Sequence, residues 1–253
     1  MSTVIIILLA VLGAALGSFF NVLIYRLPRK ESIVYPASHC GECGKAIPFY
    51  LNIPILSYIM LRGKCKFCGA GIHWHHLLVE IITPVVLVAL FLQYGLLNLL
   101  FLKYSILCMF LIPIIFIDAF HQIIPHKLSI PLIPIGILLT LIPGNDVTLV
   151  NSLVSAGIIF SFMLFIAYAY RLARKVDGLG GGDIWLLTAI AAFFGLISMP
   201  YVILISSLLG IVYFIAFVRD KDQGFAFGTF ISFTGVVWAV FGSSRIFDLI
   251  PFM

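Results

Sequence analysis

Two acids interrupt an otherwise apolar chain at places where a charge is hard to accommodate. Asp118 closes the run LIPIIFIDAFHQIIPHK, and Asp183 opens another in LGGGDIWLL. An ionisable side chain at a hydrocarbon boundary costs about 3 kcal/mol and marks a functional site by default. Two carboxylates held within a few ångströms share one proton, because both cannot ionise easily. One then serves as base on a water while the other donates to a carbonyl, which is the chemistry of amide hydrolysis. Gly180, Gly181 and Gly182 precede the second acid. Lacking side chains, they let a substrate backbone come close and permit φ values other residues refuse. Each acid also has a plainer explanation. Asp183 caps the helix it opens, and Asp118 is a boundary residue solvated by headgroups. Asp177 is an alternative partner, and Glu80, in LLVE, is a third acid available as proton donor or substrate-binding group.

A second constellation lies nearer the N-terminus. HCGECGK and GKCKFCGAG place Cys40, Cys43, Cys65 and Cys68 in two C-x2-C pairs. Two intervening residues let one tight turn deliver both sulfurs to one tetrahedral ion, and two such turns close a four-thiolate site. A glycine follows each pair, Gly44 and Gly69, where the backbone must fold back towards the sulfur. Structural zinc is therefore expected; a reducing compartment disfavours two disulfides. His39, His73, His75 and His76 are candidate substitutes for a cysteine, or interfacial residues, and Cys108 stands alone in an apolar span as packing. Basic zinc ribbons also bind nucleic acid, but this one hangs between spans beside a phosphate-rich membrane, and no nucleic-acid partner is expected.

These residues need a scaffold, and composition dictates its kind. The 253 residues are 62% hydrophobic and 10% charged, with a mean hydropathy of +1.19. A soluble domain needs more charge to cover its surface. Apolar stretches long enough to cross about 30 Å of hydrocarbon recur along the chain. The expectation is an all-α polytopic membrane protein of eight spans, at 3–25, 77–94, 98–117, 128–143, 150–170, 184–198, 200–218 and 225–242, since lipid admits no other open structure with satisfied backbone groups. The first run lacks a basic segment before it and is longer than a signal-peptide core, so it is read as a retained helix. With its N-terminus outside, thirteen of fifteen basic residues fall inside, leaving only Lys103 and Arg245 outside. The net charge of +5 then reflects topology and anionic membrane lipids. Asp118 and Asp183 come to the same, cytoplasmic, level. The expected divisions are a first helix, 1–25; a cytoplasmic four-cysteine domain, 26–76; and a membrane bundle, 77–253.

The motifs together resemble the prepilin peptidases, or type IV leader peptidases. The resemblance runs through GSFFNVLIYRLPR (Gly17 to Arg29), the cysteine pairs, NIPILSYIMLRGKC, LLVE ending at Glu80, IDAFHQIIP, GLGGGD and FAFGTF (Phe225 to Phe230). It implies a multi-pass inner-membrane aspartic peptidase that cleaves prepilin or pseudopilin precursors at the cytoplasmic face. It also implies N-methylation of the new amine with S-adenosylmethionine, with 26–76 as the methyltransferase region. Carried onto this chain, Asp118 and Asp183 are the catalytic pair and the four cysteines are zinc ligands. The chain departs from the family at His126, where Pro-Asp is often found, and at Trp185, where lysine often stands. No glycine-rich dinucleotide fingerprint is present, so S-adenosylmethionine rests on the resemblance. A proton-coupled transporter built on paired carboxylates is the alternative, and a non-enzymatic scaffold docking through the zinc loop is a third reading.

Overall fold

The computed structural model describes residues 2–175, 180–217 and 225–248, the last helix by backbone alone beyond residue 241. Its helices are α1 (Ser2–Arg26), α2 (Leu56–Met60), α3 (Trp74–Tyr94), α4 (Leu99–His121), α5 (His126–Leu139), α6 (Leu149–Arg174), α7 (Gly181–Phe194), α8 (Met199–Phe217) and α9 (Phe227–Asp248). Among the described residues there is no strand, only two isolated bridges, His39 with Ala46 and Lys64 with Gly71. Five helices, α1, α3, α4, α6 and α8, are long and apolar enough to cross a membrane. The apolar parts of α5, α7 and α9 are shorter. Asp177, singled out above, lies outside the described residues, as do the first two residues of GLGGGD and two of the thirteen basic residues expected inside, Arg219 and Lys221.

Two segments end where local chemistry, rather than hydropathy, stops them. The fourth apolar stretch was expected to run to residue 143, but α5 stops at Leu139, with Thr140 Oγ1 donating to Ile137 O at 2.6 Å. The sixth was expected at 184–198. Instead α7 begins at Gly181 and stops at Phe194, because Gly195 takes φ +77° and its N–H returns to Ala191 O. The early start draws Asp183 inside the helix.

Packing divides the chain into two compact units, residues 1–92 and 93–253. In the first, α1 lies tightly on α3 through two small residues. A Cβ on Gly13 would sit 2.5 Å from Pro84 Cα, and one on Gly17 would sit 2.8 Å from Glu80 Cα. Such small-xxx-small spacing is how helices approach in lipid, where close packing replaces the hydrophobic drive. Arg26, buried at the end of α1, donates to Ser32 O at 2.8 Å and Pro36 O at 2.6 Å, fastening the polar loop to the helix.

In the second unit α7 is the axis, packing against α5, α6 and α9. Leu186 through Phe194 are all buried, and a helix apolar all round belongs inside a bundle. Gly136 of α5 admits the Phe193 ring, and Gly235 of α9 admits Leu111 of α4. By contrast, only 17% of the apolar window of α8 is buried, against 61% of that of α4. The outward residues of α8, such as Leu204, Leu208, Val212 and Ile215, form an apolar surface suited to lipid. Lys103 is fully buried in α4, paired with Asp146 Oδ1 at 2.5 Å and Asn145 Oδ1 at 2.9 Å. Tyr104 donates to the other oxygen of Asp146. One of the two basic residues expected outside is thus neutralised within the bundle.

Candidate functional site

Asp118 stands one turn before the end of α4 and is buried. Its Oδ2 accepts from Thr229 N at 2.6 Å and Thr229 Oγ1 at 3.0 Å. Thr229 lies in the first turn of α9, where backbone N–H groups have no partner inside the helix. The α4 carboxylate thus caps α9 from outside, with the helix dipole favouring its charge. The approach depends on Gly228, since a Cβ there would lie 3.1 Å from Asp118 Oδ2 and 2.4 Å from Ile124 Cδ1.

Asp183 occupies the first turn of α7, its N–H bonded to Gly180 O at 3.0 Å. The capping explanation does not describe it: Gly180 is the N-cap, and no side chain caps this helix. Asp183 Oδ1 is buried with no hydrogen-bond partner. Its Oδ2 is so near Gly180 that a Cβ there would come within 2.9 Å. Asp118 acts electrostatically on Asp183. Ile124, in the turn between α4 and α5, joins the two neighbourhoods by packing against both Gly182 and Gly228. The glycines therefore differ in purpose. Gly180, Gly182 and Gly228 give way to specific atoms, whereas Gly181 has open space around its Cβ position.

The site pairs a held carboxylate with a less encumbered one. Asp118 is fixed by two donors, and Asp183 has an oxygen awaiting one. That arrangement suits a shared proton and a polarised carbonyl. Sequence reasoning named both acids but gave no part to Gly228, Thr229 or Ile124. FAFGTF was visible as a motif, yet nothing in it says that its Gly-Thr would meet an acid 111 residues away. At the two departures, Trp185 packs on Phe160 of α6 with ring centroids 5.0 Å apart, and His126 is the exposed first residue of α5.

Glu80 lies in the first unit, on α3. Its Oε2 accepts from Ile55 N at 2.7 Å, tying the polar loop to the helix.

The four cysteines are free thiols gathered in that loop, their sulfurs all within 4.8 Å of one another. Two matching knuckles hold them. Cys40 N donates to Lys45 O and Gly44 N to Cys40 O; Cys65 N donates to Ala70 O and Gly69 N to Cys65 O. Gly44 and Gly69 take φ +68° and +74°, the left-handed conformation that favours glycine. A tetrahedron with metal–sulfur bonds of about 2.3 Å has edges of about 3.8 Å. Cys40 Sγ and Cys68 Sγ lie 3.8 Å apart. The residues present fit a four-thiolate metal. Backbone N–H groups of Cys68 and Phe67 pull the Cys65 thiol down to about 6. The Ala70 N–H pulls Cys68 the same way, but desolvation and the neighbouring thiols outweigh it and push Cys68 up to about 12. The cluster thus presents a ready thiolate at neutral pH and retains a proton that a cation would displace. His75 stacks on His73 and meets His76 at a tilt, and no histidine joins the sulfur cluster among the described residues.

Comparison with known sequences bears on both sites. Residues 11–94 match the bacterial peptidase A24 N-terminal domain, and residues 105–215 match the type IV leader peptidase family. The prepilin leader peptidase/N-methyltransferase of Neisseria gonorrhoeae is 34% identical over 258 residues, covering 92% of this chain and 89% of that protein. The protein of the same name from Dichelobacter nodosus is 30% identical, covering 93% and 92%. That from Vibrio cholerae is 30% identical, covering 84% and 87%. No solved structure matches.

Proposed function

The chain belongs to the type IV leader peptidase family, and from that premise we propose that Asp118 and Asp183 carry out its peptide cleavage. It is an aspartic endopeptidase that removes the leader peptide of type IV prepilin-like precursors and N-methylates the amine so exposed. The observation that carries the assignment is the asymmetric carboxylate pair: Asp118 bound by Thr229 N–H and hydroxyl, Asp183 with an unpartnered oxygen beside it in charge and in packing. The shared proton rests on Asp183, whose free oxygen lacks a donor, and passes to the scissile carbonyl. Asp118, already held by donors, takes a proton from the attacking water. The glycines at 180–182 leave room for the substrate backbone in its extended form.

The wider setting follows the same reading. Helices α1 and α3–α9 make eight passes of the inner membrane with the N-terminus outside, as the basic residues direct. Both acids then stand at the cytoplasmic face, where a precursor's apolar stem enters sideways from lipid. Cys40, Cys43, Cys65 and Cys68 hold structural zinc, which fixes a loop otherwise too polar to pack. S-adenosylmethionine, when bound, supplies the methyl group. The comparisons give no support to proton-coupled transport.

The deciding experiment is cleavage of a prepilin substrate by Asp118→Asn and Asp183→Asn enzymes in reconstituted membranes. Both are expected to be inactive. Full cleavage by either single variant would end the assignment.

A further inference from the structure

The first unit holds a polar cluster that cleavage does not use. Asn21 of α1 and Glu80 of α3 meet on the interface that Gly17 makes narrow. Glu80 Oε2 receives Ile55 N–H at 2.7 Å, and the Ser18 and Asn21 side chains lie near the same carboxylate. Asn21 Nδ2 also donates to His76 O at 3.0 Å. Two features of the cluster stand unanswered. Asn21 is only 8% exposed, yet its Oδ1 is buried without a hydrogen-bond partner. Glu80 has no counter-ion: among the described residues no Lys, Arg or His pairs with it. A carboxylate has about four lone-pair sites, and the Ile55 N–H fills one of them. A half-buried anion beside an unsatisfied amide oxygen asks for a cation with several N–H donors. A lone water would satisfy the amide but not the charge. A primary ammonium, with three donors and one positive charge, satisfies both.

We propose that Asn21 and Glu80 form the seat of the substrate's newly exposed N-terminal ammonium, and that Glu80 is the base for its methylation. The proposal rests on the methyltransferase reading above. The ammonium enters as R–NH3+, hydrogen-bonded to Glu80 and Asn21 Oδ1. Glu80 takes one proton, leaving a neutral amine. The nitrogen lone pair attacks the methyl carbon of the sulfonium donor, forming the N–C bond. The C–S bond breaks with its electrons going to sulfur, leaving a neutral thioether and a methylated ammonium. The Glu80 proton then passes to solvent. Cleavage and methylation thereby use different carboxylates in different units of one chain.

The test uses the full-length enzyme and a synthetic peptide with the mature N-terminal sequence, so methylation is read without prior cleavage. In the absence of methyl donor, the free-amine peptide should bind about tenfold more tightly than its N-acetylated form. Glu80→Gln should remove that preference and slow transfer of a labelled methyl group roughly a hundredfold. Equal binding of the two peptides by the wild-type enzyme overturns the proposal, and needs no variant to fold. Undiminished methyl transfer by Glu80→Gln overturns it too, while leaving the methyltransferase reading intact. Wild-type enzyme that prefers the free amine but transfers no methyl group would overturn that reading and uphold the seat.

Discussion

The cysteine loop and the carboxylate pair are both built from short motifs, but they are assembled over different distances. Each cysteine knuckle is closed by hydrogen bonds spanning at most five residues. Only the joining of the two knuckles needs the fold. The carboxylate pair has almost nothing local: α4, α7 and α9 each bring one part, and the bond that fixes Asp118 crosses 111 residues. A site of the first kind is specified by turns, and one of the second by how glycines let helices approach.

That contrast can be broken most severely at the acids. Asp118→Asn or Asp183→Asn should lower cleavage by roughly a thousandfold or more, while methylation of a pre-cut peptide persists. If methylation falls in step with cleavage, the two regions do not work separately. Next in size is loss of a ligand from the other region. Cys40→Ser or Cys65→Ser should abolish bound metal, measured by elemental analysis, and expose the loop to protease, since structural metal binding is folding energy. Cleavage should suffer far less than methylation. Third, Gly228→Ala should cost cleavage about a hundredfold, because the added methyl displaces Ile124 or Asp118, and misplacement of about 1 Å has that effect. Thr229→Val should cost about tenfold, as it removes the hydroxyl donor and keeps the backbone one. Smallest of all, Gly71→Ala in the cysteine loop should shift stability by no more than about 0.5 kcal/mol, since nothing lies within 4 Å of the added carbon. A large effect at Gly71 with none at Gly228 would reverse the comparison.

The same division explains what the sequence disclosed. The knuckles were legible because C-x2-C-G is itself a turn, and its glycines adopt the positive φ that the spacing called for. Each expected apolar span coincides with a helix, since hydropathy reports burial along one chain segment. The ends were less legible. α7 begins three residues early because its glycines join the helix, and α5 ends four early at Thr140. The acids were visible as charges out of place. Gly228, Thr229 and Ile124 were not, because a threonine in an apolar helix is ordinary until a partner from elsewhere in the chain faces it. Asn21 was hidden likewise: it looks like one polar residue in a membrane helix, and only its unsatisfied oxygen beside Glu80 sets it apart.

The buried lysine of α4 has one further consequence. Lys103 meets its counter-ion 43 positions later, in the connection that follows α5. A solitary ammonium cannot settle in hydrocarbon at low cost. As the bundle assembles, α4 therefore gains its final seat only once the chain has run through α5 and delivered Asp146, so that one ion pair fastens α4 to the connection beyond α5.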